Sequence, residues 1–556
     1  MAKTALPTLL LSIAAATTTL GAAAEDIPSK AGEPCRFTEG VRYSELVINS
    51  RINDFRANTT QSGFGVFDSE GHCTETPRNA KATLDYVPGL VAKAIVEAVD
   101  YYKDNSTVNV APWFYAVEYY ANRYDIASDG KQGRSFDDLN AVKLYFKLRE
   151  LAASCRFADG ETYGNASTVA TAEQRFADAR EGIILANSNY AIKASTLQGA
   201  AGGWWHKHQY TDQMWCDGQY MGPALLAQMM NEYEGYAPVS SDDWTLVTRQ
   251  FAIAWDYLWD DDVRLLYHAF TADPGGQAAK DWAGVKATPG AEVYHSAEFW
   301  GRAVGWYFMA LVDVLEQMEQ AGQADTANYT QLHSYLQQLA AGIAAKQDAA
   351  TGCWYQLLNH DGSYVATTYS SRYRYTAEPV ANYLESSATA LFVAAYLKGM
   401  RLGLLGSDYR DTALKGYRGF VNRFMVSDGH GGVHLVGCCK SAGLGGSNYR
   451  DGSAEYYLLG KDTEPTSTSG SNFYTEGKVF GAFIMAALEY ERLMDSSSSG
   501  VGTLRMDGRG NDLNGCFSWP DGQPNFMTVV DLAGRRLKQD SRQALVVRHG
   551  QTVLSR

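Results

Sequence analysis

The sequence predicts an all-α protein, a toroid of six helical hairpins followed by a short β-rich C-terminal tail. Helical periodicity of apolar residues dominates from about Val41 to about Leu493 and accommodates roughly twelve helices. The connections between these helices alternate between short and long, which is typical of a ring of hairpins. An open solenoid is the alternative, but no fixed short repeat is visible in the sequence.

Two of the predicted helices show the apolar stripe in full. In DYVPGLVAKAIVEAVDYY the stripe contains Leu90, Val91, Ala94, Ile95, Ala98 and Val99. In FDDLNAVKLYFKLREL it contains Leu139, Val142, Leu144, Tyr145 and Leu148. The first helix is expected near Tyr43, and the others begin near Pro112, Thr171, Gln219, Trp244, Ala303, Asn328, Tyr383, Asp411 and Glu476.

Long loops rich in Gly, Asp and Tyr separate some of these helices. An example is TADPGGQAAKDWAGVKATPGAEVYHSAEFW, between Thr271 and Trp300. Structureless loops of this length in a compact domain are usually functional. We therefore expect such loops to border a site.

The first 24 residues read as a secretory signal peptide. Lys3 precedes an apolar run, and three alanines before Glu25 offer a cleavage site. The protein is therefore expected to be exported, to the periplasm, the cell surface or the medium. The main domain is predicted to cover residues 25–494.

The character of the sequence changes after the main domain. A Ser/Gly linker is predicted at residues 495–505 and a β-rich tail at residues 506–556. The pattern VVDLAGRRL…LVVRHG resembles the end of the sorting tails that some gram-negative bacteria attach to exported proteins. The alternative is a small β hairpin without a sorting role.

Composition excludes some classes of partner. The net charge of -14, without long charged runs, disfavours nucleic acid and anionic membranes. No further apolar run approaches the ~20 residues of a membrane helix. The chain has 35 Tyr and 12 Trp, and exposed aromatic faces commonly hold sugar rings; a Tyr-rich surface is the alternative.

The 8 cysteines permit disulfides in an exported chain. Cys35 and Cys73 flank one loop-rich region and are a candidate pair. The adjacent Cys438 and Cys439 are not expected to bond each other. No Cys/His spacing typical of structural zinc occurs.

The segment GGWWHKHQYTDQMWCDGQYMGP, from Gly202 to Pro223, places one carboxylate among aromatic residues. Asp217 lies where a loop enters an apolar helix, so helix capping is one explanation for it. The flanking aromatic residues exclude water, and burial raises the pKa of a carboxyl toward that of a usable acid. Asp217 is therefore a candidate catalytic acid.

A second acidic position opens the helix DDLNAVK, where Asp137 and Asp138 complement the helix dipole. Capping alone would explain one of the two. A pair of carboxylates is needed when one donates a proton while the other stays charged. Whether Asp137 and Asp217 meet is left open by the sequence.

The remaining candidates are basic. His206 and His208 lack a third ligand at a suitable spacing, so no metal is expected. Arg302 lies between Trp300 and Trp306, which is typical of a guanidinium that binds an anion beside a stacking platform. A surface ion pair at a helix start is the alternative for Arg302.

Six segments in this order resemble glycoside hydrolase family 105, the unsaturated rhamnogalacturonyl hydrolases. They are DYVPGLVAKA, DDLNAVK, HK…MWCDGQYM, EFWGRAVGWY, NYLESSATALF and GLGGSNYRDGSAEYY, and they span about Tyr43 to Leu493. The resemblance implies an (α/α)6 barrel. It also implies removal of a 4,5-unsaturated uronic acid from the non-reducing end of a pectin fragment, by hydration of a vinyl ether.

The resemblance implies roles for single residues. Asp217 would protonate C4 and then help to draw a proton from the water that attacks C5, while the charge of Asp137 would help to keep Asp217 protonated. Lys207 and Arg302 would bind the uronate carboxylate. No metal and no cofactor is expected, and the partner is an unsaturated uronate-terminated oligosaccharide. The pocket positions implied by the match are His206, Lys207, Trp215, His268, Arg302, Trp306 and Tyr86.

Two motifs outside this set are interpreted as structural. The run Asp260–Asp262 follows a helix and reads as a solvated turn, although adjacent aspartates serve some helical-toroid mannanases. GLGGSNYRDGS is similar to a phosphate loop only superficially, because no Lys-Ser/Thr follows and the strand–loop–helix context is absent.

The sequence departs from the family pattern in two places. The segment between His268 and Trp300 is long and carries His295 and Glu298, and YSSRYRYTAEPVANY adds Tyr and Arg residues. Insertions at a pocket mouth alter the sugar that follows the uronate. Three alternatives therefore stay open: a glucuronyl hydrolase of glycosaminoglycan or ulvan fragments, an exported sugar-binding protein without activity, and a hydrolase of saturated glycosides.

Overall fold

The computed structural model describes residues 27–58, 66–67, 73–75, 84–123, 135–158, 160, 162–189, 200–286, 294–446, 449–467, 475–498, 503–504, 545–548 and 551–554. The predicted signal peptide lies outside these residues. No helix in the described ranges is long and apolar enough to cross a membrane.

Six helical hairpins build the described core as two concentric rings. The six inner helices are Tyr86–Tyr102, Phe136–Ala153 (Phe136–Asn140 and Leu144–Ala153 joined by the 3₁₀ turn Ala141–Lys143), Cys216–Glu232 (Cys216–Met221 and Pro223–Glu232), Gly301–Gln320, Ser386–Arg401 and Gly477–Ser498. The six outer helices are Tyr43–Asn58, Ala111–Arg123, Ala166–Asn189, Asp243–Leu258, Ala327–Ala344 and Arg410–Phe424.

The inner ring is closed. Each inner helix contacts the next, and the last contacts the first. A β-carbon at Gly89 would lie 2.6 Å from Ala141, and one at Gly305 would lie 3.0 Å from Leu391, so glycine permits the close approach of neighbouring inner helices. The predicted (α/α)6 barrel is confirmed, and the open solenoid is excluded because a solenoid has free ends.

The helix starts agree closely with those predicted from periodicity. The helices that begin at Ala111, Asp243, Gly301, Ala327, Arg410 and Gly477 start within two residues of the predicted positions. The fourth inner helix is buried almost all round, whereas the outer helices bury one face. The largest error is the helix predicted near Thr171, which begins at Ala166.

The described parts of the segment predicted as a structureless loop before Trp300, residues 271–286 and 294–300, contain secondary structure. They contain the short helix Gln277–Asp281 and the strands Val285–Lys286 and Tyr294–His295. These strands join Gln213–Trp215 and Ala269–Thr271 in a four-stranded antiparallel sheet. The remaining short elements are the strand pairs Val66–Phe67 with Cys73–Glu75, Cys155–Arg156 with Thr162–Tyr163, Trp259–Asp260 with Leu265–Leu266, Val365–Ala366 with Val380–Ala381, and Met425–Ser427 with Val433–Leu435, the 3₁₀ turn Ser407–Tyr409 and the helix Ala454–Leu459.

The tail contains strands where alternation predicts them. Leu545–Arg548 pairs with Gln551–Leu554 and with Thr503–Leu504. The last inner helix runs to Ser498, four residues into the segment predicted as a linker. Cys35 is a free, buried thiol, so the candidate pairing with Cys73 is wrong, and Cys438 and Cys439 are also free.

A charged cavity of about 410 Å³ lies where inner helices approach their C-terminal ends. Its charges are largely paired with one another: Lys398 Nζ lies 2.6 Å from Asp313 and 2.7 Å from Glu316, and Lys93 Nζ lies 2.6 Å from Glu97. Lysines at this end complement the negative helix termini. We interpret the cavity as an internal ion-pair network of the barrel.

A buried carboxyl on the last inner helix gives the fold a pH dependence. Ser44 N donates to Glu491 Oε1 at 3.0 Å, and the hydroxyls of Ser44 and Tyr102 both donate to Oε2 at 2.6 Å. Burial nevertheless raises the pKa of Glu491 to about 7. Because this folded pKa lies above the ordinary 4.5, the stability contributed by the protonated group is complete below pH 4.5 and is lost as the pH rises through 7.

Glu491→Gln is expected to remove this dependence, because the amide stays neutral at every pH. Between pH 5 and pH 8 the wild type should lose roughly 2 kcal/mol of unfolding free energy that the variant keeps. Urea denaturation midpoints at both pH values measure the difference. Glu464→Gln, on the exposed pair with Lys440, is the control. Identical pH dependence in wild type and Glu491→Gln would contradict the raised pKa of Glu491.

Candidate active site

The predicted site residues gather at the N-terminal ends of the inner helices. Tyr86 begins the first inner helix, and Asp137, Asp217 and Arg302 lie in the first turns of the second, third and fourth. Each outer helix returns the chain, so all inner helices start at the same end of the barrel. Residues that are far apart in sequence are thereby brought to one mouth.

Asp217 is positioned by a strand-to-helix junction. The strand Gln213–Trp215 runs straight into the helix that carries Asp217, and Cys216 N donates to the His268 carbonyl at 3.0 Å. Asp217 is the second helical residue, Trp215 holds the cap position, and that cap has no side-chain hydrogen bond. Simple helix capping therefore does not explain Asp217.

The strand pairing places His268 beside this carboxylate. His268 Nε2 lies 3.3 Å from Asp217 Oδ2, and His268 is fully buried. Neither atom makes a well-formed hydrogen bond to another described residue. Burial lowers the pKa of His268, more than Asp217 raises it, so its imidazole is neutral near pH 7.

Aromatic rings line the approach to Asp217. Trp215 lies nearly parallel to His206 and to Tyr210, with ring centroids 5.3 Å and 5.0 Å away. His206 and Tyr210 are only 6.3 Å apart, too close to lie on opposite faces of the indole. Trp282, from the folded segment after His268, meets Trp215 edge-on. These rings form an aromatic wall, and the sequence did not predict Tyr210 and Trp282 as members of it.

Asp137 is the carboxylate that carries a fixed charge. Lys207 Nζ lies 2.5 Å from its Oδ2 and His206 Nε2 lies 3.3 Å from its Oδ1. Burial alone would raise the pKa of Asp137, but Lys207 and His206 together hold it well below its usual range. Ser135 is the cap of this helix, because its Oγ accepts from Asp137 N at 3.2 Å.

One imidazole connects the two acidic positions. A β-carbon at Gly218 would lie 3.0 Å from His206 Nδ1, so the helix start that carries Asp217 leans against His206. The other nitrogen of His206 contacts Asp137. Asp137 and Asp217 therefore belong to one site, which the sequence alone left open.

Arg302 lies below the mouth and is only 2% exposed. Its Nη1 donates to Ser387 Oγ at 3.1 Å and to the Cys439 carbonyl at 2.7 Å, and it lies 3.8 Å from Glu385 Oε1. The guanidinium also stacks on the Trp300 ring, with 4.5 Å between Cζ and the centroid. The alternative of a surface ion pair is therefore wrong.

The two remaining predicted residues occupy different depths. Tyr86 is half-buried, and burial raises its pKa; the ionisable groups around it are Lys478, Asp137, Arg302 and Asp85. Trp306 is buried one helical turn below Arg302 and packs on Tyr220, with 4.8 Å between the centroids. The structure thus places Tyr86 at the mouth and Trp306 beneath it.

Four residues near the site were not predicted from the sequence. Asp85 precedes the first inner helix, and burial, with Asp137 nearby, raises its pKa. Glu385 precedes the fifth inner helix, Lys478 lies in the first turn of the sixth, and Tyr457 binds His268. A charged residue directly before an almost wholly apolar helix was the available signal for Asp85 and Glu385.

Metal ligation finds no support in the side chains. In the part of the chain that the structure describes, no three His, Cys, Asp or Glu side chains group closely enough to hold a metal ion. The run Asp260–Asp262 forms a hairpin turn in which Asp260 Oδ1 accepts from Val263 N at 2.8 Å. That acidic run is thus a turn, as predicted.

Comparisons with known proteins agree with the barrel. The family model described as Glycosyl Hydrolase Family 88 matches residues 65–494. Protein Atu3128 of Agrobacterium fabrum is 34% identical over 200 residues, which are 35% of this chain and 72% of that protein.

Two solved structures share the fold. A family 105 glycoside hydrolase of C. acetobutylicum is similar with a TM-score of 0.57 and 24% identity, covering 81% of this chain and 100% of that one. A possible family 105 member from Salmonella enterica serovar Paratyphi A gives a TM-score of 0.52 and 17% identity, covering 83% and 97%. At these identities the likeness concerns the fold.

Proposed function

The chain belongs to glycosyl hydrolase family 88 and is a glycoside hydrolase, and from this premise we propose that it removes a 4,5-unsaturated uronic acid from lyase-generated oligosaccharides. The family resemblance seen in the sequence is confirmed. The substrates that we propose are pectin fragments of the rhamnogalacturonan type, cleaved at their non-reducing end by hydration of the vinyl ether.

The observation that carries this proposal is the asymmetry of the two carboxylates. Asp137 is held as a charged group by Lys207 and His206, so it does not act as the acid. Among the described side chains, Asp217 lies within ion-pair distance of the neutral His268, and Trp215, two residues before it in the chain, meets His268 edge-on. Hydration of a vinyl ether needs one proton donor and no second nucleophilic carboxylate, and the site supplies that inventory.

The reaction follows from this arrangement. Asp217 transfers its proton to C4 of the unsaturated ring, and the positive charge that develops is shared by C5 and the ring oxygen. Water adds to C5 and gives a proton back to the Asp217 carboxylate. The hemiketal opens to a ketone, which leaves a hemiacetal at C1 that releases the remaining sugar as an alcohol. The negative charge of Asp137, which is linked through His206 to the start of the helix that carries Asp217, stabilises the cationic intermediate.

Lys207 is the cation best placed for the uronate carboxylate. Its side chain is 26% exposed, and an ammonium has three donors, of which Asp137 takes one. Arg302 is nearly inaccessible and already bonded to Ser387 and Cys439. We therefore assign the direct contact to Lys207, and to Arg302 a supporting role beneath Trp300.

The proposal is tested with unsaturated disaccharides made by lyases from rhamnogalacturonan, homogalacturonan and chondroitin. Loss of the ultraviolet band of the conjugated double bond reports hydration. We expect the rhamnogalacturonan disaccharide to lose absorbance fastest. Cleavage of saturated glycosides, with every unsaturated disaccharide left intact, would refute the proposal.

The other arms of this assay separate the remaining candidates. Fastest turnover of the chondroitin disaccharide would make the protein a glucuronyl hydrolase of glycosaminoglycan fragments. Binding of a disaccharide without any turnover would make it a sugar-binding protein. We further propose that the protein acts after export, because the apolar N-terminal run has the form of a signal peptide.

A further inference from the structure

A tyrosine buried behind the site extends the contact between Asp217 and His268. Tyr457 lies on the short helix Ala454–Leu459 and is fully buried. Its hydroxyl is 2.8 Å from His268 Nδ1, while His268 Nε2 faces Asp217 Oδ2 at 3.3 Å. Tyrosine, imidazole and carboxyl thus form a continuous line from the core to the mouth of the site.

The hydrogen bond of Tyr457 determines which nitrogen of the His268 imidazole carries the proton. The Tyr457 hydroxyl makes no other hydrogen bond among the described residues, so His268 Nδ1 is the acceptor for its proton. Burial raises the pKa of Tyr457 far above its usual value, so the phenol keeps that proton. An imidazole that accepts at Nδ1 and is neutral carries its own proton at Nε2.

We propose that Tyr457 is a positioning residue that holds His268 in the Nε2–H tautomer, so that His268 donates a hydrogen bond to the Asp217 carboxylate formed during turnover. Tyr457 itself does not reach the substrate. The proposal rests on the proposed function, in which Asp217 first gives up a proton and then takes one from water.

The consequence for the reaction is a stabilised conjugate base. After Asp217 delivers its proton to C4, the carboxylate accepts the Nε2–H bond, and no proton leaves His268. Water then returns a proton to Asp217, and the Nε2–H bond weakens again. The opposite tautomer would present a lone pair to the carboxylate and would repel it.

Few titratable or charged groups surround this line. Those facing His268 are Asp217, Tyr457, His206 and Arg302, and the charge of Arg302 adds to burial in disfavouring a second proton on the imidazole. Cys216 adjoins Asp217, and Tyr456, Glu298 and Cys439 are the further titratable groups near Tyr457. His268 therefore stays neutral, and its tautomer depends on Tyr457.

Tyr457→Phe tests the proposal, since it removes only the hydroxyl. We expect kcat to fall roughly 10- to 100-fold, a part of the 10²- to 10⁴-fold that a positioned acid contributes, with little change in KM. Without the Nε2–H donor the carboxylate is less stable, so the alkaline limb of the kcat profile should move to higher pH. The activity is measured with whichever unsaturated disaccharide the wild type hydrates.

Tyr456→Phe is the matched control. Tyr456 is the preceding residue and is equally buried, and its hydroxyl donates to the Gly443 carbonyl at 2.5 Å rather than to His268. Tyr456→Phe should lower the free energy of unfolding by as much as Tyr457→Phe does, but it should leave the pH profile of kcat unchanged. Equal losses of kcat in the two variants, with no movement of the alkaline limb, would overturn the proposal.

The tautomer is also observable without substrate. The imidazole ¹⁵N shifts of His268, identified by their loss in His268→Gln, should show a protonated Nε2 in the wild type. They should show a mixture of tautomers in Tyr457→Phe. A wild type protonated at Nδ1 would refute the positioning role, whereas a wild type with the expected tautomer and no turnover would refute only the proposed function.

Discussion

Asp217→Asn is expected to reduce turnover by at least about 1000-fold while leaving substrate binding nearly intact. Asparagine keeps the shape of the side chain beside His268 but cannot give a proton to C4 or take one from water. The uronate contacts assigned to Lys207 and the aromatic wall are untouched. Initial rates with the unsaturated disaccharide measure the first effect, and calorimetric titration of the inactive variant measures the second.

Asp212→Asn is the matched control for this substitution. Asp212 lies in the turn just before the strand that leads to Asp217, and it adopts φ +58°, a conformation that asparagine tolerates well. The substitution keeps the backbone contact in which Ala272 N donates to the Asp212 carbonyl at 2.8 Å. The control should keep nearly full activity. An Asp217→Asn variant that retains a substantial fraction of the wild-type rate would remove Asp217 from the acid role.

Local sequence signals were sufficient for the barrel because inner helices such as Tyr86–Tyr102, Gly301–Gln320 and Ser386–Arg401 bury most of their residues. Such helices are long and apolar, and their periodicity survives without knowledge of their neighbours. Periodicity failed where a helix starts with polar residues. The helix at Ala166 is capped by Asn165, whose Oδ1 accepts from Ser167 N at 3.1 Å, and this start signal lies six residues before the predicted start at Thr171.

The four-stranded sheet beside the site was beyond prediction for a different reason. Its strands are two or three residues long, too short for an alternating pattern to appear. Their pairing joins Trp215 to Ala269 across more than fifty residues of chain. That pairing is nonetheless what sets His268 beside Asp217.

The same difference between local signals and contacts across the chain applies to the candidate site. Asp217, His206, Lys207 and Trp215 belong to one segment, so their association was readable from the sequence. The partners that orient them come from distant segments, as Tyr457 does for His268. The sequence therefore brought together the candidates that share one segment, but not the distant residues that position them.

Glu385→Ala is expected to lower the free energy of unfolding by roughly 3–5 kcal/mol. Glu385 is fully buried, and its carboxylate accepts from Ala388 N at 2.6 Å and from Cys439 N at 2.9 Å. Its charge also compensates Arg302 at 3.8 Å. Truncation would leave a buried guanidinium without its carboxylate and two backbone donors without an acceptor.

The variant Glu385→Gln separates the contribution of the charge of Glu385 from that of its hydrogen bonds. Glu385→Gln keeps an oxygen for one of the donors but removes the charge that faces Arg302. Its free energy of unfolding should therefore lie between those of wild type and Glu385→Ala. Glu464→Ala breaks the exposed pair with Lys440 and should cost less than about 1 kcal/mol. Urea denaturation of the four proteins gives the comparison. If Glu385→Ala unfolds at the same urea concentration as Glu464→Ala, the carboxylate does not stabilise the buried arginine, and the support of Arg302 must come from Ser387, the Cys439 carbonyl and the Trp300 ring.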